Sequence, residues 1–117
     1  MSELERQPTP RARLKGLAEA WAAGADEVAE HGCQVGCLAS ELTKTNPRVG
    51  ADARGLLEQL IAWSEDQFRA LDLPDPRALA TSLIAGVQGA ALLAEVLDDA
   101  SVMRREARRL ERWIDEL

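Results

Sequence analysis

The stretch DPRALATSLIAGVQGAALLAEVL, residues 75–97, decides the fold. Asp75-Pro76 reads as a helix start: a good capping residue precedes a proline at the first helical position, where its missing N–H costs nothing. At about 100° per residue, Leu79, Leu83, Val87, Ala90, Ala94 and Leu97 form one apolar stripe. Ala85, Gly89, Leu92, Leu93 and Val96 form a second stripe on a different side. A helix apolar nearly all round must be covered nearly all round. A domain of about five helices buries one side and leaves the other for a second subunit, so the expected solution is a symmetric interface. The competing reading of the same pattern is a central helix in a monomer. Ala85, Gly86, Gly89 and Ala90 are small enough to let a neighbouring helix approach closely. The charge-free run from Ala78 to Ala94 falls short of the roughly 20 residues of a membrane span. With Thr81, Ser82 and Gln88 inside it, it reads as a buried helix of a soluble domain.

Working outward, Thr9-Pro10 and Asn46-Pro47 repeat the start signal and place further helices from about residues 10 and 47. The first is expected to run to about Glu30, with Gly32 closing it, and Cys37 to Lys44 reads as a separate short helix. Asp98-Asp99 is expected to end the helix begun at Pro76 and to cap a last one from about Ala100. Each flanking helix has one apolar face. Leu14, Leu17, Ala18, Trp21, Ala25 and Val28 share a stripe, as do Leu56, Leu57, Leu60, Ile61, Trp63, Phe68 and Leu71. In the last helix Val102, Met103, Ala107, Leu110, Trp113, Ile114 and Leu117 group together. There is no strand-like alternation and no internal repeat, and the fold class is all-α.

Composition agrees. The 117 residues suffice for one domain with a real core. They are 46% hydrophobic, which excludes intrinsic disorder, and two cysteines do not make a disulfide scaffold. Twenty acidic residues against fourteen basic ones leave a net charge of −6. A free-standing nucleic-acid binder presents a positive surface, so nucleic acid is not an expected partner of this chain, and neither is a membrane. The polar start MSELERQ lacks the apolar segment of a secretory signal, and a cytoplasmic location is expected.

The chemistry-bearing residues are few. Cys33 and Cys37 stand in a C-x3-C spacing rather than the C-x-x-C of thioredoxin-like sites. Together with His31 they supply three metal ligands and no fourth. A thiol redox enzyme using both would need exposed cysteines with a depressed pKa. The plainer reading is two small, partly buried apolar side chains. The arginines at 104, 105, 108, 109 and 112 are interleaved with Glu106, Glu111, Asp115 and Glu116 and read as a solvated outer face. No phosphate loop, nucleophile elbow, metalloprotease motif or paired-carboxylate signature is present. One histidine and no tyrosine leave little for acid–base catalysis. No enzyme, cofactor or metal site is expected.

Three segments taken in order carry a resemblance. They are Leu14 to Trp21 followed by Gly32-Cys33-x-x-Gly36-x-Leu38-Ala39-Ser40-Glu41-Leu42, then the amphipathic helix bearing Trp63. The third runs from Asp75-Pro76-x-Ala78-Leu79-Ala80 through Leu83-Ile84-x-Gly86-Val87-Gln88-Gly89-Ala90 to Leu110-Glu111-Arg112-Trp113. The chain resembles, from about Gln7 onward, the C-terminal ligand-binding and dimerisation domain of TetR-type (tetracycline-repressor-like) transcriptional regulators. It is most similar to the branch with a Gly-Cys-Pro-x-Gly-x-Leu-Ala-x-Glu motif, departing from it at Gln34 and in the additional Cys37. Residues 1–8 are then the remnant of a connecting helix or a tail, and 9–117 the regulatory domain. The family's basic helix-turn-helix domain has no counterpart here, so no DNA binding by this chain is expected.

The resemblance implies that the last two helices form a four-helix bundle with those of a second copy. Ala85, Gly89, Leu92, Leu93, Val96, Leu110 and Trp113 are the expected interface of this homodimer. It also implies a small apolar ligand bound among the helices of one subunit, with Leu17, Trp21, Leu38, Leu42, Leu60, Trp63 and Gln88 as candidate lining. Gln88 is the strong polar group in the middle of an apolar helix and needs a partner if buried. An alternative from another class is a helical interaction protein that pairs with a full-length relative and titrates it.

Overall fold

The computed structural model describes residues 6–31 and 47–117. Among these, five helices follow one another: α1 Pro10–Ala22, α2 Ala25–His31, α3 Pro47–Ala70, α4 Pro76–Leu97 and α5 Ser101–Glu116. The helix starts at 10, 47 and 76 fall where the proline pairs place them. The short helix expected from Cys37 to Lys44, the closing role of Gly32, and both cysteines lie outside the described residues.

Thr9 caps α1 as expected: its Oγ1 accepts the Ala12 N–H at 3.0 Å. The expected single helix from residue 11 to about residue 30 is instead two. At Ala23-Gly24 the bonding tightens, with the Gly24 N–H donating to Trp21 O at 3.2 Å. A new turn then begins at Gly24, whose carbonyl accepts the Val28 N–H at 3.0 Å. The break re-aims the chain: α1 packs on α3 and α5, whereas α2 leans on α4. Small side chains make the second contact possible, Ala25 meeting Ala91, Ala94 and Met103 in a compact apolar cluster.

Asp75 departs from the expected cap. Its backbone is left-handed (φ 51°) and its side chain makes no capping bond. A capping side chain reaches the first turn from an extended backbone, which this residue does not have. At the other end of α4 the left-handed residue is productive. With Asp98 at φ 50°, the Asp98 N–H bonds Glu95 O at 3.2 Å and the Asp99 N–H bonds Ala94 O at 2.9 Å, the two bonds of a Schellman ending. Asp99 then starts α5: its Oδ1 accepts the Ser101 N–H at 2.9 Å and the Ser101 hydroxyl at 2.6 Å.

α4 is the hub, packed against α2, α3 and α5. It is also, by length and composition, a helix apolar enough to cross a membrane. Its inward face carries Leu83, Ile84 and Val87 into a core completed by Leu14 of α1, Phe68 of α3, and Leu110 and Ile114 of α5. Gly86 sits where α5 crosses: a Cβ there would stand 2.9 Å from Glu106 Oε1 and 3.5 Å from Leu110 Cδ2. Phe68 and Trp113 pair with ring centroids 5.8 Å apart. Arg11 closes the far end of α5 by donating to the carbonyls of Ile114, which also accepts the Leu117 N–H, and of Leu117.

Candidate functional site

Among the described residues, four of the interior candidates lie on two helices. Leu17 and Trp21 stand one turn apart on α1, and Leu60 and Trp63 one turn apart on α3. All four are partly buried and pack on the same core cluster. Gln88, on α4, is half-buried and makes an interaction of its own. Leu38 and Leu42 lie outside the described residues. The indole Nε1 atoms of Trp21 and Trp63 are each buried and, among the described residues, without a hydrogen-bond acceptor. A donor stranded in this way costs about 1–3 kcal/mol.

Sequence reasoning missed two buried polar residues of α3, Ser64 and Gln67. The Ser64 hydroxyl donates back to Leu60 O at 2.8 Å, and Gln67 Oε1 accepts from Arg13 Nη1 at 3.4 Å. Their signal was present, since both fall among the apolar positions of α3 on the Leu57–Leu60–Phe68 side.

A polar seam between α1 and α5 was missed as well. Arg11, Lys15 and Glu19 follow one another at i, i+4 and i+8 and face the C-terminal end of an antiparallel α5. Lys15 Nζ holds both oxygens of Asp115, at 3.0 and 3.1 Å. That contact raises the lysine above its ordinary pKa, the Asp115 hydrogen bond being the largest cause. Further along, Glu111 is raised above the ordinary value of 4.5, first by burial and then by a hydrogen bond with Glu19 and its charge. Two open grooves follow this seam. One of about 370 Å³ is lined by Gln7, Arg11, Lys15, Glu19 and Asp115, and one of about 270 Å³ by Glu19, Arg104, Arg108 and Glu111. Both are open and edged by charged side chains, the second with Ala22, Ala23 and Ala107 on its floor, unlike the enclosed apolar site that a small hydrophobic molecule requires.

The outer face of α4 is of the opposite character. Leu92 is 53% exposed, Leu93 51%, Val96 70% and Leu97 61%, and Ala85 and Gly89 are exposed beside them. A Cβ added at Gly89 would meet nothing within 4 Å. Leu110, by contrast, is 1% exposed in the subunit core, and Trp113 is half-buried against Phe68. Gly86 and Ala90 are likewise taken up within the subunit, leaving Ala85 and Gly89 as the small residues that face outward. The α5 arginines 104, 105, 108, 109 and 112 are all exposed. Arg109 is held by Glu106 at 2.9 Å and Arg104 by Asp26 of α2 at 3.4 Å.

A family model described as "Transcriptional regulator LmrA/YxaF-like, C-terminal domain" matches residues 10–109, from the first residue of α1 into the second half of α5. No curated protein matches the chain.

Proposed function

The chain belongs to the family of LmrA/YxaF-like transcriptional-regulator C-terminal domains, and from that premise we propose that it is a cytoplasmic dimerisation and small-molecule-sensing domain without DNA binding or catalysis of its own. The observation that carries the pairing is the outer face of α4. Leu92, Leu93, Val96 and Leu97 stand in water on a helix whose other side is the core. Burying that face against a second copy would remove apolar surface from both subunits, at about 25 cal/mol per Å². Gly89 and Ala85 would let the two α4 helices come close. Leu110 is buried in the subunit's own core and Trp113 is half-buried against Phe68, so the seam we propose is built on α4.

Sensing is supported by the family and by the convergence of Leu17, Trp21, Leu60 and Trp63 on one apolar cluster. A molecule entering between α1 and α3 would press on α1. That helix is tied to the end of α5 by Arg11 and by Lys15 with Asp115. Ligand binding would in this way reach the helix that flanks the seam.

The interface is tested with Leu92→Glu and Gly89→Arg, followed by sedimentation velocity beside circular dichroism. Both variants should sediment as folded monomers where the parent sediments as a dimer, because each places charge or bulk in a seam emptied of water. A variant that keeps both its helicity and the dimer would show that the seam lies elsewhere.

A further inference from the structure

The carboxylates interleaved with the arginines of α5 in the sequence are drawn away from them in the fold. Asp115 is held by Lys15 of α1, and Glu111 hydrogen-bonds Glu19 of the same helix. Glu106 serves Arg109, on the side of α5 that faces Gly86 of α4. What remains outward is a row of cations on one helix. Arg104, Arg108 and Arg112 recur at every fourth residue, about 6 Å apart along the axis, with Arg105 beside them. All four are exposed. Among the described residues, the carboxylate bonded to this row is Asp26, 3.4 Å from Arg104 and itself 90% exposed. An ion pair so open to water contributes little and exchanges readily for another. Glu116, one turn beyond Arg112, bounds the row at its C-terminal end.

We propose that this row is a docking surface for an acidic helix of a partner protein, one that presents carboxylates at every fourth residue. Such a helix repeats at the same interval of about 6 Å, so successive carboxylates meet successive guanidinium groups. A guanidinium takes a carboxylate through two parallel N–H···O bonds, and clusters of arginine recognise acidic segments in this way. Beside the row lies the groove of about 270 Å³ between the end of α1 and α5, floored by Ala22, Ala23 and Ala107 with Arg104 and Arg108 on its edge. Small side chains there give the partner's apolar side a place to rest while its acids lie on the arginines. Glu19 and Glu111 line the same groove and repel an acid set over them, which fixes the side on which the partner's carboxylates lie.

A nucleic acid offers negative charge in a form this molecule resists. Duplex DNA carries a charge about every 1.7 Å of its length. Beyond the row it would run over Asp26, Glu116 and the rest of a chain of net charge −6. A helix with a few acids touches the row alone.

The test uses three fluorescein-labelled probes: an alanine-rich helical peptide with glutamate at i, i+4 and i+8, its glutamine counterpart, and a short duplex DNA. Binding is read by fluorescence anisotropy from low to physiological salt. The glutamate peptide is expected to bind, more weakly as salt rises, and about tenfold or more tightly than the glutamine peptide. Arg108→Glu and Arg112→Gln should each weaken it, the first by about tenfold or more. Arg54→Glu, at an exposed position of α3, makes the same change in net charge as Arg108→Glu and should leave binding unchanged. All three variants should keep the parent's circular dichroism.

The proposal is overturned if the glutamate peptide does not bind at low salt, or if the glutamine peptide binds as tightly. Equal weakening by Arg54→Glu and Arg108→Glu would also overturn it, since the attraction would then be one of net charge. DNA bound more tightly than the glutamate peptide, and lost in Arg108→Glu, would assign the row to phosphate and remove the acidic helix.

Discussion

Asp98 holds the join between α4 and α5 on a single backbone angle. Its positive φ lets the two closing bonds of α4 form and turns the chain so that Asp99 meets Ser101. Aspartate tolerates this region better than most residues, but glycine adopts it without strain. Asp98→Gly is therefore expected to stabilise the subunit by about 0.5–1 kcal/mol in urea denaturation. Phe68, fully buried and paired with Trp113, works in the opposite direction, and Phe68→Ala should cost about 3–5 kcal/mol in the same assay. The two residues differ in how visible they were. Phe68 lies on an apolar stripe at helical spacing, which any core residue of α3 must. The left-handed angles of Asp72, Asp75 and Asp98 depend on how the flanking helices are packed, and the residue type alone does not reveal them.

At the scale of elements, the α4–α5 turn and the polar seam between α1 and α5 give stability a pH dependence with two opposite parts. Asp99 is held below its ordinary value of 3.8, mainly by the Ser101 hydroxyl and then the Ser101 N–H. Its contribution is present above that value and lost as pH falls through the lowered one. Glu111 is raised, so its contribution is complete below 4.5 and fades as pH rises through the raised value. Above that range Glu111 and Glu19 repel each other. Glu111→Gln should consequently raise the melting temperature at pH 7, with the gain shrinking on acidification. Asp99→Ala should lower it at pH 7, with the loss shrinking on acidification.

Helix starts were readable because Thr9-Pro10, Asn46-Pro47 and Asp75-Pro76 act locally. The break at Ala23-Gly24 was not. The run from Ala20 to Ala23 favours helix, and the apolar stripe continues through Ala25 and Val28 without a change of face. What changes is the neighbour, from α3 and α5 to α4, and that is a property of the assembled fold. Glu19 and Glu111 illustrate the same limit. Each reads as an ordinary exposed acid until two helices bring them together.

For the whole molecule, the decisive feature is a helix with two apolar sides and one subunit's worth of core. The two stripes of α4 were legible except at the helix end. The structure sets Leu83 and Val87 inside and Leu92, Leu93 and Val96 outside, but Leu97, expected on the inner stripe, is 61% exposed because α4 ends there and the chain turns away. α5 carries two of the expected interface residues, Leu110 and Trp113. It has a single apolar face, and Met103, Ala107, Leu110 and Ile114 bury that face within the subunit. Leu110 is buried in that face, and the seam we propose is built on α4 instead. Of the interior candidates, Leu17, Trp21, Leu60 and Trp63 follow from helical periodicity. The stranded indole donors do not, because an unpaired N–H is visible only once its surroundings are known.

The pairing of two copies is tested most directly by sedimentation equilibrium of the unmodified chain, from high nanomolar to tens of micromolar concentration. A mass near twice the 12.7 kDa of one chain is the result predicted. A single-chain mass at every concentration would contradict it, leaving Leu92, Leu93, Val96 and Leu97 exposed for some reason other than a second copy.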